Sequence, residues 1–177
     1  LRYEKASQQI ERYVFDINNR SASPIPYNII QAFYVDTLGE HNNLWIATLG
    51  GVGKVSLDSS QQFVFQKYRT NLKDSTTLPH YRISHILRND PHTLWFASFQ
   101  GLIQARETEN GLTVSQIKHD PGDPSSLRDD MLHHLYLDET GNLWLATHNG
   151  LDMTPVKYLS QNVRAFDHRS LPLKNGI

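Results

Sequence analysis

Nine histidines in a chain of 177 residues are the first feature with chemical potential, because a neutral imidazole ligates metals and exchanges protons near pH 7. Two pairs stand out by position: Ser84-His85 and His133-His134 occupy the same place in two segments that match elsewhere as well. If those segments are strands lining a channel, alternating side chains point inward. His85 and His134, with Ser84 and His133 beside them, are then the candidate contacts for a ligand. The simpler account makes all four polar strand residues, hydrogen-bonded or solvated. A transition-metal site needs a spacing that fixes three ligands, and no segment provides one. No catalytic, cofactor-binding or metal-ligating residue is assigned, and no cofactor is expected.

The carboxylates lead to turns rather than to chemistry. Asp120-Pro121-Gly122-Asp123-Pro124-Ser125-Ser126 offers oxygen ligands and a glycine, but its spacing is not that of a calcium loop. Asp, Pro, Gly and Ser in such density are turn formers. Asp36 and Asp138 each close an apolar stretch and are expected to cap turns. A Gly-rich phosphate loop, a Gly-x-Ser-x-Gly elbow and a His-Glu-x-x-His motif are all missing from the sequence. The aromatics Tyr13, Phe15, Tyr34, Phe63, Phe65, Tyr68 and Tyr136 mostly recur at strand spacing, which suits a core better than a stacking platform.

Composition narrows the partners. Seventeen Lys and Arg against 18 Asp and Glu leave a formal charge of −1, so nothing draws the chain to nucleic acid or to an anionic membrane. There is no cysteine, hence no disulfide, thiolate metal site or Cys nucleophile. No apolar run approaches the roughly 18 residues that would cross a bilayer. The first residue is Leu1 rather than Met, and no leader-like segment follows it, as expected of a piece of a longer protein.

The elements that must position these residues emerge from an internal repeat. Leu44-Trp45-Ile46-Ala47-Thr48, Leu94-Trp95-Phe96-Ala97-Ser98 and Leu143-Trp144-Leu145-Ala146-Thr147 are one phrase, spaced by 50 and 49 residues, and they use all three tryptophans. A glycine follows each at a fixed offset (Gly51, Gly101, Gly150), then Val52, Leu102 or Leu151. Apolar stretches ending in a polar turn precede each phrase: Ile30 to Asp36, Ile83 to Asn89 and Leu132 to Asp138. The first needs three more residues to reach its Trp, which implies an insertion within the turn from Thr37 to Asn43. Behind the tryptophans come two further strand-like runs and a Ser/Thr-Leu signal at Thr77-Leu78, Ser126-Leu127 and Ser170-Leu171. Ser7-Gln8-Gln9-Ile10 matches Ser60-Gln61-Gln62-Phe63, so the stretch from Glu4 to Tyr13 is expected to form a hairpin rather than a helix.

Each unit therefore predicts four short strands. In the third they are Leu132 to Asp138, Leu143 to Thr147, a strand after Gly150, and one near Val163 to Phe166. In the second, Asn110-Gly111 marks the hairpin between third and fourth strands. Glycines 51, 101 and 150 sit where the chain must turn sharply. The Trp strand is apolar on both faces, Trp and Ala on one, Leu, Ile and the Thr methyl on the other, so both faces need cover. A four-stranded antiparallel unit of about 50 residues sandwiched between copies of itself is a β-propeller blade. The expected fold is all-β: a trailing half-blade at 1–28, then blades at 29–82, 83–131 and 132–177. Three and a half blades fall short of the four to eight that close a ring. The chain then reads as an arc of a larger propeller, or as one whose open blade edges pair with another copy.

The recurring Leu-Trp-[Ile/Phe/Leu]-Ala-[Thr/Ser]-x-x-Gly-[Leu/Val], with Phe63 to Tyr68, Asp74-Ser75-x-x-Leu78 and Ile83-x-x-Ile86, resembles the two-component regulator propeller repeat over essentially the whole chain. The resemblance implies a periplasmic sensor of a membrane-anchored bacterial signalling protein, usually built on one or two seven-bladed propellers. In such proteins a cytoplasmic histidine kinase or GGDEF-type diguanylate cyclase gives the output. The Y_Y_Y domain, membrane helix and output of the family are not in this sequence. The implied role is non-catalytic binding of a small ligand, for instance a saccharide, at a channel mouth or loop face. A propeller-type lyase or hydrolase and a protein-interaction platform are the alternatives.

Overall fold

The computed structural model describes residues 2–4, 9–38, 42–60, 62–68, 78, 82–109, 111–161 and 165–169. A two-stranded hairpin, β1 (Arg2–Glu4) with β2 (Gln9–Glu11), leads the chain. Three antiparallel sheets of four strands follow. The first comprises β3 (Ile30–Asp36), β4 (Asn43–Thr48), β5 (Gly51–Leu57) and β6 (Phe63–Tyr68). The second comprises β7 (Ile83–Asp90), β8 (Thr93–Ser98), β9 (Gly101–Thr108) and β10 (Gly111–Ile117). The third holds β11 (Leu132–Leu137), β12 (Asn142–Thr147), β13 (Gly150–Pro155) and β14 (Asp167–Arg169), with the short helix α1 (Val156–Ser160) inserted before its last strand. In each sheet the strands pair in sequence order, a meander repeated three times.

The fourth strand of the third sheet departs from expectation. It lies at Asp167–Arg169 rather than near Val163 to Phe166, because Pro155 ends β13 and the chain coils once through α1. Leu159 of that turn and Phe166 are buried in the core, and Phe166 donates its N–H to the Ser125 carbonyl at 2.8 Å. Val163, Ser7-Gln8, Asp74-Ser75, Thr77, Asn110 and Ser170-Leu171 lie outside the described residues, as do positions 39–41 of the first turn.

The Trp phrase explains how the sheets stack. On β4, Trp45 and Ala47 share a face, and both are fully buried against Leu94, Phe96 and Ile103 of the second sheet. Trp95 and Ala97 are likewise buried against Leu143 and Leu145 of the third. Each Trp/Ala face thus covers the Leu/apolar face of the next sheet. Burying one such indole removes ~150–250 Å² from water, worth roughly 4–6 kcal/mol at ~25 cal/mol/Å².

Two hydrogen-bonded devices recur with the phrase. The residue closing it, Thr48, Ser98 or Thr147, donates its hydroxyl to the carbonyl of Gly51, Gly101 or Gly150 and accepts from the N–H two residues on. The hydroxyl thereby closes the hairpin that the glycine, at φ between +111° and +124°, allows. At the other end, the indole N–H of Trp45, Trp95 and Trp144 donates to Asp36, Asn89 and Asp138 at 3.2, 2.8 and 2.8 Å.

Candidate functional site

The first strands β3, β7 and β11 each begin a sheet and pack side by side, β3 on β7 and β7 on β11. Residues at equivalent positions on them therefore become neighbours. Each carries a register irregularity at its start, between Ile30 and Ala32, Ile83 and His85, Leu132 and His134. A bulge there breaks strict alternation and re-aims the residues on either side.

The four candidate residues separate accordingly. His85 and His134 come together: their rings lie 3.7 Å apart, tilted by 32°, across the boundary between second and third sheets. His85 is partly buried and its Nδ1 has no hydrogen-bond partner, whereas His134 is exposed. Burial first, and the adjacent His134 second, push the His85 imidazole down to about 4, so at neutral pH it is uncharged. One nitrogen of a neutral imidazole donates and the other accepts.

Ser84 follows the simpler account, that of a hydrogen-bonded strand residue. It is buried, and its hydroxyl lies 2.6 Å from the Leu132 carbonyl and 3.2 Å from that of Ala97. Its bulge position turns it into the seam between sheets, where it ties β7 to β11 instead of meeting a ligand. His133, at the matching position of β11, is exposed and joins another group. Its ring meets Phe99 edge-on at 5.9 Å and His148 at 6.0 Å, while the Arg82 guanidinium lies 5.6 Å over Phe99. A row of planar groups therefore runs Arg82, Phe99, His133, His148, with the stacked His85 and His134 one residue further into the strands.

Sequence spacing singled out His85, His133 and His134 but missed Phe99 and His148. Both follow the Trp phrase directly and align with each other, an equivalence the repeat contains. Among the described residues, no three His, Asp or Glu side chains gather so as to hold a metal ion. Asp36 and Asp138 accept Trp indole N–H groups and cap turns: Leu38 N–H binds Asp36, and the Thr140 and Asn142 N–H groups bind Asp138. The Trp144 indole, then Asn142 and Thr140, hold the Asp138 carboxyl well below the usual carboxylate range. In the 120–126 loop, the Asp120 and Asp123 side chains accept N–H groups of Gly122 and Ser125, and Ser126 Oγ accepts the Asp120 N–H. That is turn geometry.

The Trp, Gly and turn residues repeat; the charges between sheets do not. At the first boundary, fully buried Arg88 meets fully buried Asp36 at 2.8 Å and also Glu107, which pairs with Lys54 at 2.5 Å. The third sheet has instead a clasp within itself: buried Asp152 accepts from Arg128 N–H at 2.7 Å and lies 2.7 Å from His168 Nδ1, while His168 Nε2 is 3.0 Å from the Pro124 carbonyl. It fastens β14 to the preceding loop.

No protein-family model matches this sequence, and no curated protein matches it. Solved structures do. The extracellular domain of BT3049, assigned to a hybrid two-component system of B. thetaiotaomicron, aligns with 81% of this chain at 19% identity and a TM-score of 0.60. The chain spans 18% of that structure's length. The extracellular domain of BT4673 from the same organism aligns with 80% at 16% identity and a TM-score of 0.41, this chain covering 25% of it. At such identities the first match shows a shared all-β fold of stacked four-stranded sheets. No helix among the described residues is long and apolar enough to cross a membrane.

Proposed function

We propose that this chain is a ligand-sensing segment of a periplasmic β-propeller, seven-bladed when whole, within a membrane-anchored bacterial signalling protein. The observation that carries the binding role is the stacked His85–His134 pair on the first strands, with a buried, unpartnered Nδ1 beside the planar row Arg82, Phe99, His133 and His148. Imidazole nitrogens offer hydrogen-bonding edges, and flat rings offer stacking faces. A small polyhydroxylated ring, a saccharide, is the class such a surface suits. The extracytoplasmic setting and signalling role are supported by the fold shared with the BT3049 extracellular domain. A diguanylate cyclase or histidine kinase is the output that the sequence resemblance suggests.

Binding at first strands transmits a signal if it changes how sheets pack. His85 and His134 belong to different sheets, so a ligand held by both bridges a packing boundary. The test is a thermal-shift and calorimetric screen of neutral and acidic oligosaccharides against the chain and its His85→Ala/His134→Ala form. A ligand that binds the parent and loses at least tenfold in the double variant supports the site. Undiminished binding in the variant rejects it, and turnover of a bound sugar would move the assignment to an enzyme.

A further inference from the structure

The clasp of the third sheet makes a demand on protons that its geometry fixes. His168 presents both ring nitrogens to acceptors: Nδ1 lies 2.7 Å from Asp152 Oδ1, and Nε2 lies 3.0 Å from the Pro124 carbonyl. A carbonyl only accepts, and so does an ionised carboxylate, whereas a neutral imidazole has a single N–H to give. Both bonds form together only when the clasp holds one more proton. Placing that proton on Asp152 instead leaves the count unchanged. The Arg128 N–H, 2.7 Å from Asp152 Oδ2, and the Arg128 Nε, 3.5 Å from Oδ1, favour the ionised carboxylate and so a ring that donates twice.

The repeat supports the same reading. Register sets His168 opposite Asp152 as it sets Lys67 opposite Gly53 and Gln116 opposite Ile103. Lys67, a cation, donates to the carbonyls of Ser21, at 2.7 Å, and Ser23, in the segment that leads into the first sheet. His168 makes the corresponding contact to Pro124, in the segment that leads into the third. Behind it stands a fully buried carboxylate, where the other two sheets have Gly53 and Ile103. The remaining charged groups on the elements around the ring are engaged with other partners. Asp123 accepts from Ser125, Asp167 pairs with Arg169 at 2.7 Å, and Lys157 of α1 lies over the Tyr158 ring.

We propose that Asp152, His168 and the Pro124 carbonyl form a proton-operated latch, which when loaded pins the segment from Lys118 to Met131 onto β13 and β14. Loss of the proton to solvent leaves one N–H for two acceptors, so one bond breaks and the segment is free to open. That segment runs directly into β11, and the latch therefore sets how His133 and His134 are presented. The demand is opposite to that of His85, which is uncharged in the folded chain. Raising the pH, rather than lowering it, releases the latch.

Amide exchange followed by NMR reads the latch locally through Phe166, whose N–H donates to the Ser125 carbonyl at 2.8 Å. Corrected for the intrinsic rate, its protection should fall at least tenfold between about pH 6 and about pH 8.5 in the parent chain. Two variants remove the need for a proton by different routes. His168→Lys supplies a permanent donor, as Lys67 does in the first sheet. Asp152→Asn lets Nδ1 of a neutral ring accept from the amide while Nε2–H still donates to Pro124. In both, the protection should change less than about threefold over the same range. A parent protection indifferent to pH, or a tenfold fall that persists in a folded variant, overturns the latch. Should neither variant fold, the ring 15N signals of the parent decide: at about pH 6 both His168 nitrogens carry protons, and one bare nitrogen there overturns it equally.

Discussion

Arg88 Nη2 and Asp36 Oδ2 lie 2.8 Å apart with both side chains fully buried, one on each side of the first sheet boundary. At the positions equivalent to Arg88 the other first strands carry Val35 and Leu137, so a charge replaces an apolar contact at one boundary of the repeat. Asp36 also accepts the Trp45 indole, which places the ion pair against the residue that packs the interface.

Removing the guanidinium should strand a buried carboxylate. Arg88→Leu is expected to cost about 3–5 kcal/mol, the scale for breaking a buried pair from one side. Asp36→Asn/Arg88→Leu should recover more than half of that, because Asn89 shows that an Asn at this position still accepts the indole N–H. Urea denaturation of the three proteins measures it; a double variant no more stable than Arg88→Leu would refute the electrostatic account.

The middle and last tryptophan faces should differ. Trp95 is fully buried between sheets, whereas Trp144 is partly exposed on the trailing face of the third. Trp95→Ala is predicted to cost roughly 3–5 kcal/mol, and Trp144→Ala about half as much. Equal melting temperatures for these two variants would mean that burial between sheets is not what the phrase provides.

Much of this was legible because a repeat states its constraints three times. The spacing of Trp45, Trp95 and Trp144, their alternation with Ala, and the glycines that follow were enough to place four strands per unit and the faces that pack. The fourth strand of the last unit was not legible: Pro155 diverts the chain locally, and no earlier unit has a proline there. Which of its two accounts holds for Ser84 was not legible for a related reason, since a bulge depends on how two strands meet and leaves no mark in residue type. The stacking of His85 on His134 could be anticipated as positional equivalence, but not as contact, because it needs the seam between sheets to be crossed. The Arg88 network leaves no mark in the repeat, because its partners Asp36, Glu107 and Lys54 lie on three different strands of two sheets.

Glycines at equivalent turns should respond unequally to alanine. A Cβ on Gly101, at φ +111°, would fall 2.3 Å from the Ile117 carbonyl oxygen, a backbone atom that cannot step aside. On Gly150, at φ +124°, its nearest neighbour is the Arg128 side chain at 3.5 Å. Gly150→Ala should therefore cost only the backbone term of about 1–3 kcal/mol, and Gly101→Ala distinctly more. Chemical denaturation checks the order; Gly150→Ala proving the worse variant would contradict it.

Acidification should loosen the seam that His85 occupies. An unfolded imidazole takes up its proton near 6.5, but burial and then His134 hold the folded His85 down to about 4. Between those values the unfolded chain binds a proton that the folded chain does not, so the contribution is intact above pH 6.5 and lost as pH falls towards 4. His85→Phe keeps a ring on His134 and removes the titration. Its melting temperature should fall less than the parent's across that window, with the two curves running parallel above pH 7. A parent and variant that lose stability in step from pH 6.5 to 4 would show that other groups govern the acid limb, and that the stacked pair carries no proton-linked strain.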